Sequence, residues 1–369
     1  MDPYTRLEAR PCPGRLRTRP CRADPVLTAG PGKSEQMEPC VVRPFDWRDL
    51  RLLRRLSPQG LCLDSQLAYS HGPHVLQSAF LGAFPPAGNV HTRVARPARG
   101  EGLPAIGQIM QRSNDPLARL TFFSPAEALS EPGGTSLLDA LCHAAGEHGA
   151  RNLIAEVDEH CLAFEALRRA GFAVYARQVL WHLPPGRTSL PASRTGQKGR
   201  DPMWRREVPA DEPAIHFLYL NTVPAFVQQI EPPPARGRRG LVHRAGGELL
   251  AYFGIERGPL GVWTQPYFHP AAGDADGLLT GFLHRLADGR RRPVYVCVRS
   301  YQGWMNGPLE SLGFEAFQNQ AVMVKRLAAA VRRPVLAVLP ALEGTRPEPT
   351  APFARTENHK PAPRTGDSL

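Results

Sequence analysis

RNLIAEVDEHCLAFEALRRAGFAVYARQVLW, residues 151–181, reads as strand, helix and strand joined by very short turns. NLIAEV is a continuous apolar run of the length expected for a buried strand. CLAFEALRRAGF is a short helix, and Gly171 supplies the residue that can take positive φ just past its last turn. VYARQVLWHL then follows as a final strand pair or one long strand. The same ending recurs downstream: ALRRAGF at 166–172 is echoed by LESLGF at 309–314, each after a strand and each followed by another.

Working upstream, SLLDALCHAAGEHG places Leu137, Leu138, Leu141 and Ala145 on one helical face, with Gly149 as its C-terminal cap. Before it, VHTRVARP and AIGQIMQRS alternate as a hairpin and ARLTFFSP adds a third strand. VVRP followed by WRDLRLLRRL opens the region as a strand and an amphipathic helix, and a second helical stretch covers about 74–84. Downstream, 184–200 has linker composition. MWRREV, AIHFLYLNTVPAFVQQI, GLVHRAG, ELLAYFGIER, VWTQPYF, GLLTGFLHRLADG, PVYVCVR and FQNQAVMVKRL then repeat the order. The expected organisation is a tail over 1–36, a domain over 37–183, a linker over 184–202, a second domain over 203–330 and a tail over 331–369. The 39 prolines and 34 glycines belong mostly to those tails and linkers.

Composition narrows the function classes. No run of about 18 or more apolar residues occurs, which excludes a membrane-spanning helix. The 7 cysteines are scattered without a CxxC pair, so neither a disulfide framework nor a metal site is expected, and cytoplasmic residence follows. The net charge of +11 comes overwhelmingly from arginine, spread without aromatic interleaving or clustering on one face. That argues for base composition rather than a nucleic-acid partner.

Element order and the two Gly-Phe endings together resemble the GNAT N-acetyltransferase superfamily, over about 37–183 and again over 203–327. The resemblance implies an α/β fold of two tandem GNAT-like domains, each a mixed, mostly antiparallel twisted sheet flanked by helices, with the second degenerate. It also implies acetyl-CoA as co-substrate and an amine acceptor, either a small molecule or a peptide N-terminus or lysine. The pyrophosphate would sit on a glycine-rich turn at a helix N-terminus, where unpaired N–H groups and the helix dipole receive anionic oxygens. The matching turn is SEPGGTSLL, with Ser130, Gly133, Gly134 and Thr135 as cofactor-binding candidates and an exposed position expected for the turn. Ser130 and Thr135 depart from the family pattern. In the second half Asp274 and Asp276 of HPAAGDADGLL would repel a pyrophosphate. The family's acid tyrosine is replaced by Leu167 and Leu309. Glu156 at a strand end, His160 at the start of the following helix and Tyr175 just past the Gly-Phe are the catalytic candidates. The alternative is a non-catalytic protein of the same fold that binds a ligand or partner.

Overall fold

The computed structural model describes residues 40–72, 89–97, 102–112, 115–186, 203–234, 240–286 and 292–327. The expected tails, most of the expected linker and the helical stretch at 74–84 lie outside the described residues. The first half contains β1 (Cys40–Pro44), α1 (Leu50–Leu56), β2 (Leu61–Cys62), α2 (Ser65–Ser70), β3 (Val90–Pro97), β4 (Ala105–Gln111) and β5 (Leu117–Ser124). It continues through α3 (Pro132–Glu147), β6 (Asn152–Val157), α4 (Leu162–Arg169) and β7 (Ala173–Leu183). The second half contains β8 (Trp204–Arg206), α5 (Glu212–Thr222), α6 (Ala225–Gln228), β9 (Leu241–Ala245), β10 (Glu248–Arg257) and β11 (Val262–Phe268). It ends with α7 (Ala275–Leu286), β12 (Val294–Arg299), α8 (Asn306–Ser311) and β13 (Glu315–Arg326).

Local chemistry explains where the helices stop. Gly149, Gly171 and Gly313 take φ of +87°, +87° and +83°, a region that a side chain disfavours. After α4 and α8 the chain closes in the same way: Phe172 N–H donates to the Leu167 carbonyl and Phe314 N–H to the Leu309 carbonyl, both at 3.0 Å. These are Schellman closures, and each delivers a buried phenylalanine into the core under its helix. Burying such a side chain contributes about 1.5–3 kcal/mol, more than the cap itself, so the turn and the core reinforce one another.

All thirteen described strands belong to one sheet, in the order β1-β3-β4-β5-β6-β13-β7-β12-β11-β10-β9-β8, with β2 on the side of β5. Only β5·β6 and β11·β12 pair in parallel among the described strands. The class is α/β, a mixed and mostly antiparallel sheet with helices packed on it, as the sequence implies. The order holds one feature that local reading misses. Strand β13, last in the second half, lies between β6 and β7 of the first, and β7 in turn lies between β13 and β12. Each half is thus completed by the other's final strand. Where β7 and β13 cross, Gln178 faces Gln320 and the two buried amides hydrogen-bond at 2.8 Å. Further coupling comes from α2, whose Ser70 carbonyl accepts from Leu260 N–H at 3.0 Å and whose Tyr69 ring stacks on Tyr295 at 4.7 Å.

A second internal repeat fixes the opening of each half. Asp49 is buried and accepts two bonds of 2.7 Å from Arg43 and one of 2.9 Å from Arg96. Asp211 repeats this with Arg205 at 2.6 Å twice and Arg244 at 3.1 Å. In each case the carboxylate also accepts a backbone N–H three residues upstream, at 3.0 Å from Asp46 and from Val208. The bidentate arginine and the backbone bond together satisfy a charge that burial alone would make costly. The Arg-x5-Asp spacing is plain in the sequence at 43–49 and 205–211, although periodicity analysis passes over it.

Strand exchange makes the halves interdependent. Cutting the chain at a protease site inserted within 187–202 is expected to leave two fragments that co-elute as one species in native size-exclusion chromatography and part only in denaturant. Two separately folded fragments in native buffer would contradict the exchanged sheet.

Candidate functional site

Glu156, the candidate at a strand end, lies just past the point where the parallel pair β5 and β6 comes apart. Strands β5 and β6 pair over Leu117↔Asn152, Ala118↔Leu153 and Arg119↔Ile154 and then diverge. Strands β11 and β12 do the same after Thr264↔Val296. Beyond each divergence, inward-facing N–H and C=O groups lose their ladder partner and must find another. An extended amide-bearing ligand could pair with such an edge in the manner of an added strand.

In the first half the chain itself takes that place. Leu61 pairs with Phe123 and Cys62 with Phe122, so β2 lies antiparallel on the free edge of β5. Leu63, 1% exposed, then bridges the gap: its N–H donates to the Thr121 carbonyl at 3.0 Å and its carbonyl accepts from Glu156 N–H at 2.8 Å. Ser65 N–H donates to Glu156 Oε2 at 2.8 Å, and Asp64 Oδ1 caps α2 by accepting from Leu67 N–H at 3.0 Å. Gly60 makes the entry feasible, because a Cβ there would lie 2.0 Å from the Phe122 ring. In the second half a side chain bridges instead. Gln302 donates through Nε2 to the Pro266 carbonyl at 2.7 Å and accepts from Arg299 N–H through Oε1 at 3.2 Å. Pro266 has no N–H to offer an incoming amide.

Of the two helix N-termini, that of α7 is filled by a side chain and that of α3 packs against the turn before it. Ahead of α3, a 3-10 turn over Ala126–Ser130 folds back so that Glu131 N–H donates to the Ala128 carbonyl at 3.0 Å. Pro132 then starts the helix without a donor. Gly134 is buried, and a Cβ on it would sit 1.7 Å from the Ala128 carbonyl oxygen. The expectation of an exposed turn is therefore wrong at Gly134, because the 3-10 turn packs its carbonyl end against the helix. Ser130 and Thr135 are exposed, and Thr135 spends its hydroxyl on the Glu131 carbonyl at 3.3 Å. Gly133 lies between them, half-buried. At α7 the first-turn N–H of Gly277 is taken by Asp274 Oδ1 at 2.8 Å. The carboxylate thus fills the place that a phosphate oxygen would need.

Between the two divergences lies a buried cluster of charge. Glu156 is 3% exposed, and its Oε1 lies 3.6 Å from Arg119 Nη1, which is also 3.9 Å from Asp64 Oδ2. Arg299, equally buried, donates to Glu231 Oε1 at 2.6 Å, and the Tyr175 hydroxyl donates to the same oxygen. Tyr219 donates to the Glu231 carbonyl at 2.6 Å. Burial pushes the Glu156 carboxyl above its ordinary range, and the Asp64 charge adds to the effect, against the pull of Arg119 and Arg299. Burial likewise raises Tyr175, with the Glu231 charge second. Two of the three catalytic candidates, Glu156 and Tyr175, therefore share Arg119 and Arg299 as charged neighbours. His160 stands apart: it is exposed, and its backbone N–H closes a turn on Asp158 at 2.8 Å. Arg119 and Arg299 escape the sequence reading, although a lone arginine inside LARLTFF or at the end of VYVCVR is a readable anomaly. Glu231 and Asp64 lie in turns and carry no such signal.

No protein-family model and no curated protein matches this chain. Among solved structures it is similar to a GCN5-related N-acetyltransferase from Sphaerobacter thermophilus, with 13% identity, 78% of this chain and 95% of that one covered, and a TM-score of 0.49. It is similar to a tandem GNAT protein from the clavulanic acid biosynthesis pathway, with 17% identity, 78% and 98% covered, and a TM-score of 0.48. A putative acetyltransferase from Pyrococcus horikoshii follows at 12% identity, 82% and 94% covered, and a TM-score of 0.45. The likeness is one of fold and says nothing of individual residues or substrates.

Proposed function

We propose that this chain is a tandem GNAT-fold protein that acts by binding rather than by transferring an acetyl group from acetyl-CoA. The observation that carries this reading is Leu63 hydrogen-bonded to both Thr121 and Glu156 across the mouth of the first divergence. Acetyl-CoA has an extended arm with two amides and a pyrophosphate, so it would need a free strand edge and a free helix N-terminus together. In the first half β2 holds the edge, and Pro132 with the buried Gly134 stands at the helix start. In the second half Gln302, Pro266 and Asp274 stand in the corresponding places. The residues present do not fit the cofactor.

The competing reading is acetyl transfer to a small-molecule amine or to a peptide N-terminus or lysine, and one observation favours it. Glu156 is a buried carboxyl raised above its ordinary range, as a general base for an amine would require. Its Oε2 is already engaged by Ser65 N–H and its surroundings are closed, which makes a structural ion cluster the better description.

Calorimetric titration of the full chain with acetyl-CoA separates the two: the binding reading expects no heat of association up to millimolar ligand, and a saturable site at lower concentration would overturn it. A companion test concerns the turn. Gly134→Ala is expected to lower unfolding stability by about 1–3 kcal/mol, because the added methyl must displace the Ala128 carbonyl. An unchanged denaturation midpoint would mean that the turn is open enough to serve a ligand.

A further inference from the structure

We propose that the groove between α1 and the facing ends of β3 and β4 is a binding site for a small molecule carrying a diphosphate or longer phosphate chain. The concavity has a volume of about 500 Å³, of the size that takes a small ligand. Arg51 and Arg55 from α1 and Arg96 from β3 line it, with Leu52, Pro97 and Pro104 supplying apolar surface. Among the described residues, none that lines it is a carboxylate.

Among the described residues the charge balance favours a multivalent anion. Asp49 is the acid bonded to Arg96, through Nη2 at 2.9 Å, but it is also the bidentate acceptor of Arg43. That triad keeps one positive charge, and Arg51 and Arg55 add one each. Arg51 and Arg55 stand four residues apart on one helix face, a like-charge spacing that destabilises a helix by a few tenths of a kcal/mol unless an anion lies between them. A phosphate chain matches several guanidinium forks at once, which a single carboxylate cannot do.

The internal repeat serves as a control. When the two triads are superimposed by sequence, Asp49 on Asp211, Arg51 falls on Pro213, Leu52 on Ala214 and Arg55 on Phe217. The second half builds the same opening and the same buried triad without arginines at those positions. Arg51 and Arg55 are therefore not demanded by the fold, whereas Arg43, Arg96 and Asp49 are. The site is separate from the closed divergence, so it holds or fails independently of the reading given above.

The test is calorimetric titration of the full chain with inorganic pyrophosphate at low salt. Saturable binding is expected, falling with added salt and at least about tenfold weaker in the Arg51→Ala/Arg55→Ala double variant. Arg54→Ala removes an exposed arginine of the same helix that does not line the groove, and its affinity is expected to match that of the unaltered protein. Thermal melts of the variants are expected to overlay, since Arg51, Arg54 and Arg55 are exposed. Absence of binding at 10-millimolar-order pyrophosphate would overturn the proposal, as would an equal loss in Arg54→Ala and the double variant, which would mark diffuse attraction by net charge.

Discussion

A strand edge inside a protein must have its N–H and C=O groups paired, and where β5 leaves β6 the partner is the protein's own residue 63. One residue satisfies both sides of the gap, accepting from Glu156 and donating to Thr121. Leaving those groups unpaired in a buried setting would cost about 1–3 kcal/mol each, a large part of the stability of an ordinary domain. The rest of the first half's site follows from this. Because Leu63 is fixed, Asp64 is fixed at the N-terminus of α2, Ser65 N–H reaches Glu156, and Asp64 and Glu156 both face Arg119.

Strand exchange then brings the second half's charges to the same place. With β13 and β7 interleaved, the C-terminal ends of β6 and β12 both run toward the middle of the sheet, so Glu156 and Arg299 meet within one buried cluster. Its members come from both halves: Asp64, Arg119, Glu156 and Tyr175 from the first, Glu231 and Arg299 from the second. A buried ion cluster of this kind is weak evidence for net stability, because desolvation offsets most of the attraction. Glu156 and Tyr175, two of the catalytic candidates, lie in this cluster, and His160 stands outside it.

Much of the fold is legible in the sequence because the relevant signals are local. Gly171 and Gly313 announce helix ends, since only glycine takes positive φ without cost, and the apolar face of α3 runs through Leu137, Leu138 and Leu141 as read. The exchange of β7 and β13 is not legible, because a strand's own pattern is the same whichever neighbour it pairs with. The bridging segment at Leu61–Leu63 is too short for any periodicity, and the exposed turn expected at Gly134 ignores the carbonyl of Ala128, which the sequence places six residues away but the 3-10 turn brings into contact. The buried triads of Asp49 and Asp211 are the opposite case: their spacing is written in the sequence, and attention to apolar periodicity alone conceals it.

Amide hydrogen exchange at Leu63 and Glu156 tests the closed divergence most directly, because those two N–H groups make the bridging bonds. Protection comparable to that of the neighbouring amides within β5 and β6, and unaltered by millimolar acetyl-CoA, is the expected result. Rapid exchange at both amides, or a change in their protection on adding acetyl-CoA, would show that the segment leaves the cleft and would contradict the strand-filled site.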